Sequence, residues 1–283
     1  MSRPPKRCVY CGATGVNAEH IWGQWSRKTD YYQLQKKHRQ AIQHKLHKYS
    51  SNVDLTKPDR TYDGAGARNG DPRSLSLKIT CSSCNHGWMR DILEAAKPLL
   101  CRLEAGEFWQ FNENDKATLA KWVTMFVMSY EFLDKKTVQI SQEERSKFAS
   151  DRKLLPYWSI FCAEYMDDEY NTSAHHKALK LFHAADDTGQ GSTAIQVTTL
   201  NFGRCLFHCV SSTQHIEDDV NKYAKRLNLV PLHPTHNECE LPSLSHALEK
   251  KDFGLLQNAL VKPDLVDEHI LSKIKGSVGI FTL

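Results

Sequence analysis

Two Cys-x-x-Cys pairs, Cys8-Val9-Tyr10-Cys11 and Cys81-Ser82-Ser83-Cys84, lie 69 residues apart in a chain of 283. Each pair can turn two sulfurs to one side of a tight loop, and together they complete a tetrahedral thiolate shell around Zn²⁺ with no position left for chemistry. A zinc of that kind is structural and couples folding to metal. Reactive groups must then come from residues the zinc holds in place. Glu19-His20 lies between the pairs and Asn85 directly follows the last cysteine. A carboxylate and an amide supply the oxygen ligands a hard cation prefers. An imidazole is the side chain best suited to moving a proton near pH 7.

The order Cys-x-x-Cys, Glu-His-Ile, Cys-x-x-Cys-Asn resembles the zinc-containing HNH endonucleases, and among them the phage junction-resolving branch most. The stretch Cys84-Asn85-His86-Gly87-Trp88-Met89 is similar to a group of bacterial and phage HNH proteins with Cys-Asn-x-Gly-Trp-Met. The resemblance covers residues 6 to 105. It implies a ββα-metal core with the acid-His step on a hairpin and the asparagine on the following helix. It further implies that Glu19 and Asn85 ligate one catalytic divalent ion, usually Mg²⁺, that His20 is the general base, and that DNA is hydrolysed to leave a 5′-phosphate. The family's proline three residues after the histidine is Gly23 here, and its last histidine has no clear counterpart. His86 would point about 100° from Asn85 on a helix and Glu94 lies further along, so both are secondary candidates. Arg90 is a candidate for the scissile phosphate. A non-catalytic zinc-ribbon module that docks on nucleic acid, or an HNH ribonuclease, would use the same residues.

The elements that must position these groups follow from periodicity. Residues 29–49 have apolar and aromatic residues at helical spacing, with Lys36, Lys37, Arg39 and Lys48 on the other faces, and predict a basic helix that tracks a phosphate backbone. Residues 50–73 read as a loop offering Arg68 and Arg73 to phosphate. Residues 74–80 alternate as a strand. A helix starts at Asn85 with Trp88, Ile92, Leu99 and Leu103 on one side, and Pro98 predicts a kink or restart. Further along, 117–133 predicts an apolar helix and Ser141-x-x-Glu144 a capping box. Residues 157–165, 178–184, 193–200 and 203–211 predict strands, with a turn at Gly189-Gln190-Gly191 and with Cys205, Phe207 and Cys209 on one face. Helices are predicted over 215–227, 243–260 and 264–274. His233, His236 and Cys239 make a weak ligand set in a Pro-rich loop.

With 40% hydrophobic residues the chain can build one large or two ordinary cores. The predicted class is α+β, with a zinc-stabilised ββα-metal nuclease domain over 1–108 and a helical and β-rich α+β domain over 109–283. Residues 1–104 hold 18 Lys and Arg against 9 Asp and Glu, a net +9, while the remainder is −5. That asymmetry suits a polyanion-binding module joined to one that does not bind nucleic acid. DNA is the expected partner, and the second domain is a candidate surface for a protein partner or a homodimer. No apolar run reaches the roughly 18 residues of a span, and no apolar segment follows the basic start. A cytoplasmic protein is expected, with the five cysteines outside the two pairs reduced.

Overall fold

The computed structural model describes residues 6–33, 40–49, 60–63, 72–107, 111–166, 172–182, 192–212, 216–234, 247–249 and 252–260. The chain opens on the first cysteine turn and then forms β1 (Val16–His20). A 3₁₀ turn (Gln24–Lys28) and the short α1 (Asp30–Gln33) follow, then β2 (Gln40–Tyr49) and β3 (Arg60–Asp63). Strand β4 (Ser76–Cys81) returns to pair antiparallel with β1, so the last residues of β1, Glu19 and His20, face Leu77 and Ser76. The register slips between Asn17 and Ala18. This local bulge leaves Ile79 without a partner on β1, and the Ile79 carbonyl instead accepts the Val9 N–H at 2.9 Å. The first cysteine turn is thereby pinned to the hairpin.

From β4 the chain enters a helical run without a break. It comprises α2 (Ser82–Cys84), a wide π turn over Asn85–Met89, and α3 (Arg90–Glu104). Gly87 departs from helical backbone inside that π turn (φ −94°, ψ −119°). Such widened turns re-aim side chains and recur at functional positions. Helix α3 runs through Pro98 as one element, so no restart occurs there.

Helix α4 (Glu113–Tyr130) starts on a capping box in which Asp115 N–H donates to Asn112 and Asn112 N–H to the Asp115 carboxylate. It is buried nearly all round from Leu119 to Tyr130. Its rings fill the main core: Trp22 lies 4.6 Å from Phe126, and Trp122 lies 5.5 Å from Phe207. Each such side chain contributes on the order of 2 kcal/mol by burial. The predicted capping box at Ser141 and Glu144 opens α5 (Gln142–Asp151).

The remaining chain forms β5 (Trp158–Met166), β6 (Thr172–Phe182), β7 (Ser192–Phe202), β8 (Cys205–Ser212), α6 (Glu217–Arg226), β9 (Val230–His233), β10 (Leu248–Glu249) and α7 (Asp252–Asn258). The main sheet has the order β10-β5-β8-β7-β6-β2-β3, with β9 also on β5. Its pairs are antiparallel except β2 with β6 and β10 with β5. Alternation along β8 sends Cys205, Phe207 and Cys209 into the core shared with α4, as expected, and Leu206 and Val210 into a second core under α6 and α7. The chain is therefore α+β, with a mixed eight-stranded sheet and a two-stranded one.

Two predicted helices are corrected. Residues 40–49 are strand β2, paired in register with Thr172–Leu181 of β6. Ile42 and Leu46 stand four apart, a spacing that satisfies a helix and also a strand of period two, and pairing with β6 decides between them. The span 243–260 contains β10 and the short α7 instead of one long helix. The span 264–274, the turn at 189–191, and His236 and Cys239 lie outside the described residues. The sheet and the core both cross residue 108: β2 joins β6, and one buried cluster includes Cys8, Trp88, Phe126 and Phe207.

Candidate functional site

The four cysteines converge as their spacing predicts. Cys8 and Cys11 sit on a turn closed by Gly12 N–H to the Cys8 carbonyl at 2.9 Å, with Gly12 at φ +74°, where a side chain would be strained. Cys81 ends β4, and Cys84 lies on the first helical turn after it. All four Sγ atoms lie within 4.8 Å of one another, and Cys11 Sγ is 3.5 Å from Cys81 Sγ. A tetrahedral zinc with bonds of about 2.3 Å separates its sulfurs by roughly 3.8 Å, so the cluster fits structural Zn²⁺. Burial pushes the Cys8 thiol up, but hydrogen bonds from the Cys11, Cys81 and Tyr10 backbones outweigh it and bring the thiol down to about 7.

The second half of the chain grips this turn. Arg145 Nε donates to the Val9 carbonyl at 3.0 Å, and Ser146 Oγ donates to the Tyr10 carbonyl at 2.7 Å. The Tyr10 hydroxyl reaches α4, donating to the Met125 carbonyl at 3.1 Å and lying 2.8 Å from Ser129 Oγ. Arg145 is in turn fixed by the buried Glu131 at 2.9 Å.

Toward the Ser76 end of the same hairpin the structure brings Glu19 and His20 together with Asn85, the residue after Cys84. Asn85, on the π turn, faces the same cavity as the Glu19 carboxylate on the hairpin. Burial pushes Glu19 up to about 7, and the nearby Asn85 amide only partly offsets it. No cationic side chain among the described residues pairs with this carboxylate. His20 Nδ1 is buried without a hydrogen-bond partner. Glu19, His20, Asn85, His86 and Arg90 line a cavity of about 130 Å³, closed on one side by Trp122, Met125, Phe126 and Ser129 of α4. Sequence does not single out that wall, because the aromatic and methionine stripe of α4 reads as core, and most of it is.

The other predicted residues divide. Arg90 is exposed at the cavity. His86 also reaches it, with Nδ1 held 2.9 Å from Ser82 Oγ. Glu94 is exposed on α3 and is not one of the lining residues. Arg73 is corrected: it is fully buried between the rings of Tyr32 and Phe202 at 4.2 and 4.3 Å, and it pairs with the buried Glu104 at 2.6 Å. It braces the segment after β1 against the main sheet and is not offered to a phosphate. Lys48 lies on β2, opposite Arg60 and Lys180, and not on a helix. Lys36, Lys37, Arg39 and Arg68 lie outside the described residues. His233 is half-buried, with Nε2 3.0 Å from the Leu155 carbonyl. Among the described residues, the four cysteines are the one cluster with metal-ligand geometry, and no helix is long and apolar enough to cross a membrane. No protein-family model, curated protein or solved structure matches the chain.

Proposed function

We propose that this chain is a divalent-metal-dependent endonuclease of the HNH kind that hydrolyses phosphodiester bonds in DNA. The observation that carries the reading is that Glu19, His20 and Asn85 line one cavity, on two elements that begin or end at the four-cysteine centre. The strand–strand–helix order of β1, β4 and the α2–α3 run supports it, since that is the order the resemblance implies.

Glu19 is a half-buried carboxylate that no cationic side chain among the described residues pairs with, and it is disfavoured as an anion until positive charge arrives. Asn85 lines the same cavity, and its amide oxygen is the second ligand atom. A divalent cation held by these two oxygens would supply charge neutralisation at the phosphate and the leaving oxygen. His20 then accepts the proton of the attacking water, and its Nδ1 has no competing partner to satisfy first. Arg90, exposed at the cavity, steadies the scissile phosphate. The net +9 of residues 1–104 supplies the sequence-independent attraction to a polyanion.

The test is cleavage of supercoiled plasmid by zinc-loaded protein with Mg²⁺, with EDTA, and with His20→Ala. Nicking that requires the divalent ion and disappears in the variant, with zinc and DNA binding retained, supports the enzyme. A folded, zinc-loaded wild type that binds DNA and cuts neither duplex DNA, branched DNA nor RNA would replace it with a binding module. Preferential cleavage of RNA would move the substrate.

A further inference from the structure

The end of α5 carries an arginine that the proposed chemistry does not use, Arg152, whose Nη1 donates to the Phe148 carbonyl at 3.4 Å. Arg152 follows the helix in the left-handed conformation, at φ 60° and ψ 18°. Glycine is the usual residue there, because a side chain costs energy in that conformation. An arginine kept at such a position is explained by its side chain, not its backbone. The Arg152 guanidinium lies over the ring of Trp88, 4.8 Å from its centroid.

Trp88 stands four residues after Cys84 on the same helical run. Its indole N–H is buried and falls short of hydrogen-bond geometry with any acceptor. It is nonetheless near enough to Cys84 to matter: burial pushes that thiol up, and the Trp88 N–H pulls it back. The other face of the α5 contact is Phe148, whose ring meets Trp88 edge-on at 5.8 Å. Four thiolates around Zn²⁺ leave a net charge of −2. Cys84 is buried and Cys11 is exposed, so that charge is only partly screened by water and remains open to salt.

We infer that Arg152, stacked on Trp88 beside Cys84, is the cation that offsets the charge of the four-cysteine centre and so governs how tightly the metal is retained. Among the other described cations near the centre, Arg7 donates to the Gly12 carbonyl at the exposed edge of the first turn, and Arg145, whose Nε donates to the Val9 carbonyl, is paired with Glu131. Arg152 acts through Trp88 and the field it creates, so it is a positioning residue. The inference rests on the reading of the four cysteines as a zinc centre and is independent of the nuclease reading.

The experiment uses the full chain with its zinc content measured first, challenged with a chromogenic chelator at low and high NaCl. Absence of zinc from the purified wild type would overturn the zinc reading itself and with it the role of Arg152. With zinc present, Arg152→Gln is expected to release it about 10- to 100-fold faster at low salt, the usual size of an outer-shell effect on a metal site. Arg152→Lys should recover most of the loss. High salt should narrow the gap between wild type and Arg152→Gln, as charge screening requires and lost packing does not. Arg152→Gly relieves the left-handed backbone and should still release zinc as fast as Arg152→Gln. Trp88→Phe, which keeps the ring and removes the N–H, should fall between. Replacement of zinc by Co²⁺ gives a second readout, with the thiolate-to-cobalt band expected to fade faster in Arg152→Gln. Wild-type release rates in Arg152→Gln, equal rates in the Gln and Lys variants, or wild-type retention by Arg152→Gly would each overturn the inference.

Discussion

Two groups of polar side chains share the β1–β4 ribbon and the helical run that follows it, the thiols at the Cys81 end and Glu19 and His20 at the Ser76 end, and they are built on opposite principles. The four cysteines are closed: three of the four are buried, backbone N–H groups reach Cys8, and α5 clasps the carbonyls of the turn that carries it. Glu19, His20 and Asn85 are left unfinished, with a desolvated carboxylate and a buried imidazole nitrogen that has no partner. Buried polar groups are normally satisfied, and an exception calls for a functional account. The closed group stabilises, and the unfinished group waits for a ligand. If that division is right, mutations in the first should cost stability and mutations in the second should cost activity alone.

The largest expected effect is in the thiols. Cys81→Ser removes one ligand of four and, with it, a metal contribution on the order of 10 kcal/mol. We expect loss of zinc together with loss of a cooperative thermal transition. A variant that melts like the wild type without zinc would show that the packing around Tyr10 and Trp88 holds the turns by itself, and the contrast would dissolve.

His20→Ala is next and should behave in the reverse way. Cleavage should fall by about 100- to 10,000-fold, the range for loss of a general base. The melting temperature should stay put or rise slightly, since the substitution removes a buried polar atom with no partner. A large fall in stability would mean that His20 is a structural residue.

Arg73 sharpens the comparison from outside both groups. Arg73→Met should destabilise by about 3–5 kcal/mol, because it strands the buried Glu104 carboxylate. Adding Glu104→Gln should recover part of that loss. At conditions where the protein is fully folded, DNA affinity and its salt dependence should match the wild type. A shallower salt slope in Arg73→Met would restore it as a phosphate contact.

What sequence alone discloses depends on the distance over which each feature is decided. The cysteine pairs, the Glu19-His20 step and Asn85 are legible because each is specified within four residues, and their mutual placement follows once a metal joins the pairs. The capping box at Ser141 and Glu144 is equally local. Arg145 meets Val9 across 136 positions and Tyr10 meets Ser129 across 119, and nothing near either residue announces the contact. Arg73 sits in a stretch rich in Gly, Asp and Arg that reads as a surface loop, yet Tyr32, Phe202 and Glu104 enclose it. Strand β2 reads as a helix because its apolar spacing admits two periods and its partner lies beyond residue 170. The cavity wall is a face of α4 that no periodicity separates from the rest of a buried helix.

The smallest effect concerns Glu19 and carries a sign. Its carboxyl titrates near 7 in the folded protein against an ordinary value of 4.5. Between those values the folded state holds more of this proton than the unfolded state, so stability contributed by this group falls as pH rises from about 4.5 to about 7 and stays low above. His176 and His208, pushed down to about 4 and about 3 by burial, act in the other direction and lower stability as pH falls below about 6.5. The informative quantity is therefore the difference between wild type and Glu19→Gln, in which the histidines cancel. With zinc in place and no other divalent ion, wild type should lose melting temperature relative to Glu19→Gln as pH rises through that window. Mg²⁺ should close the difference above pH 7 by favouring the ionised carboxylate, and should leave Glu19→Gln unmoved. Parallel pH profiles would mean that Glu19 is not desolvated. A difference that Mg²⁺ cannot close would leave a buried carboxylate in need of a cation other than the one proposed, and would separate the metal question from the division between closed and unfinished sites.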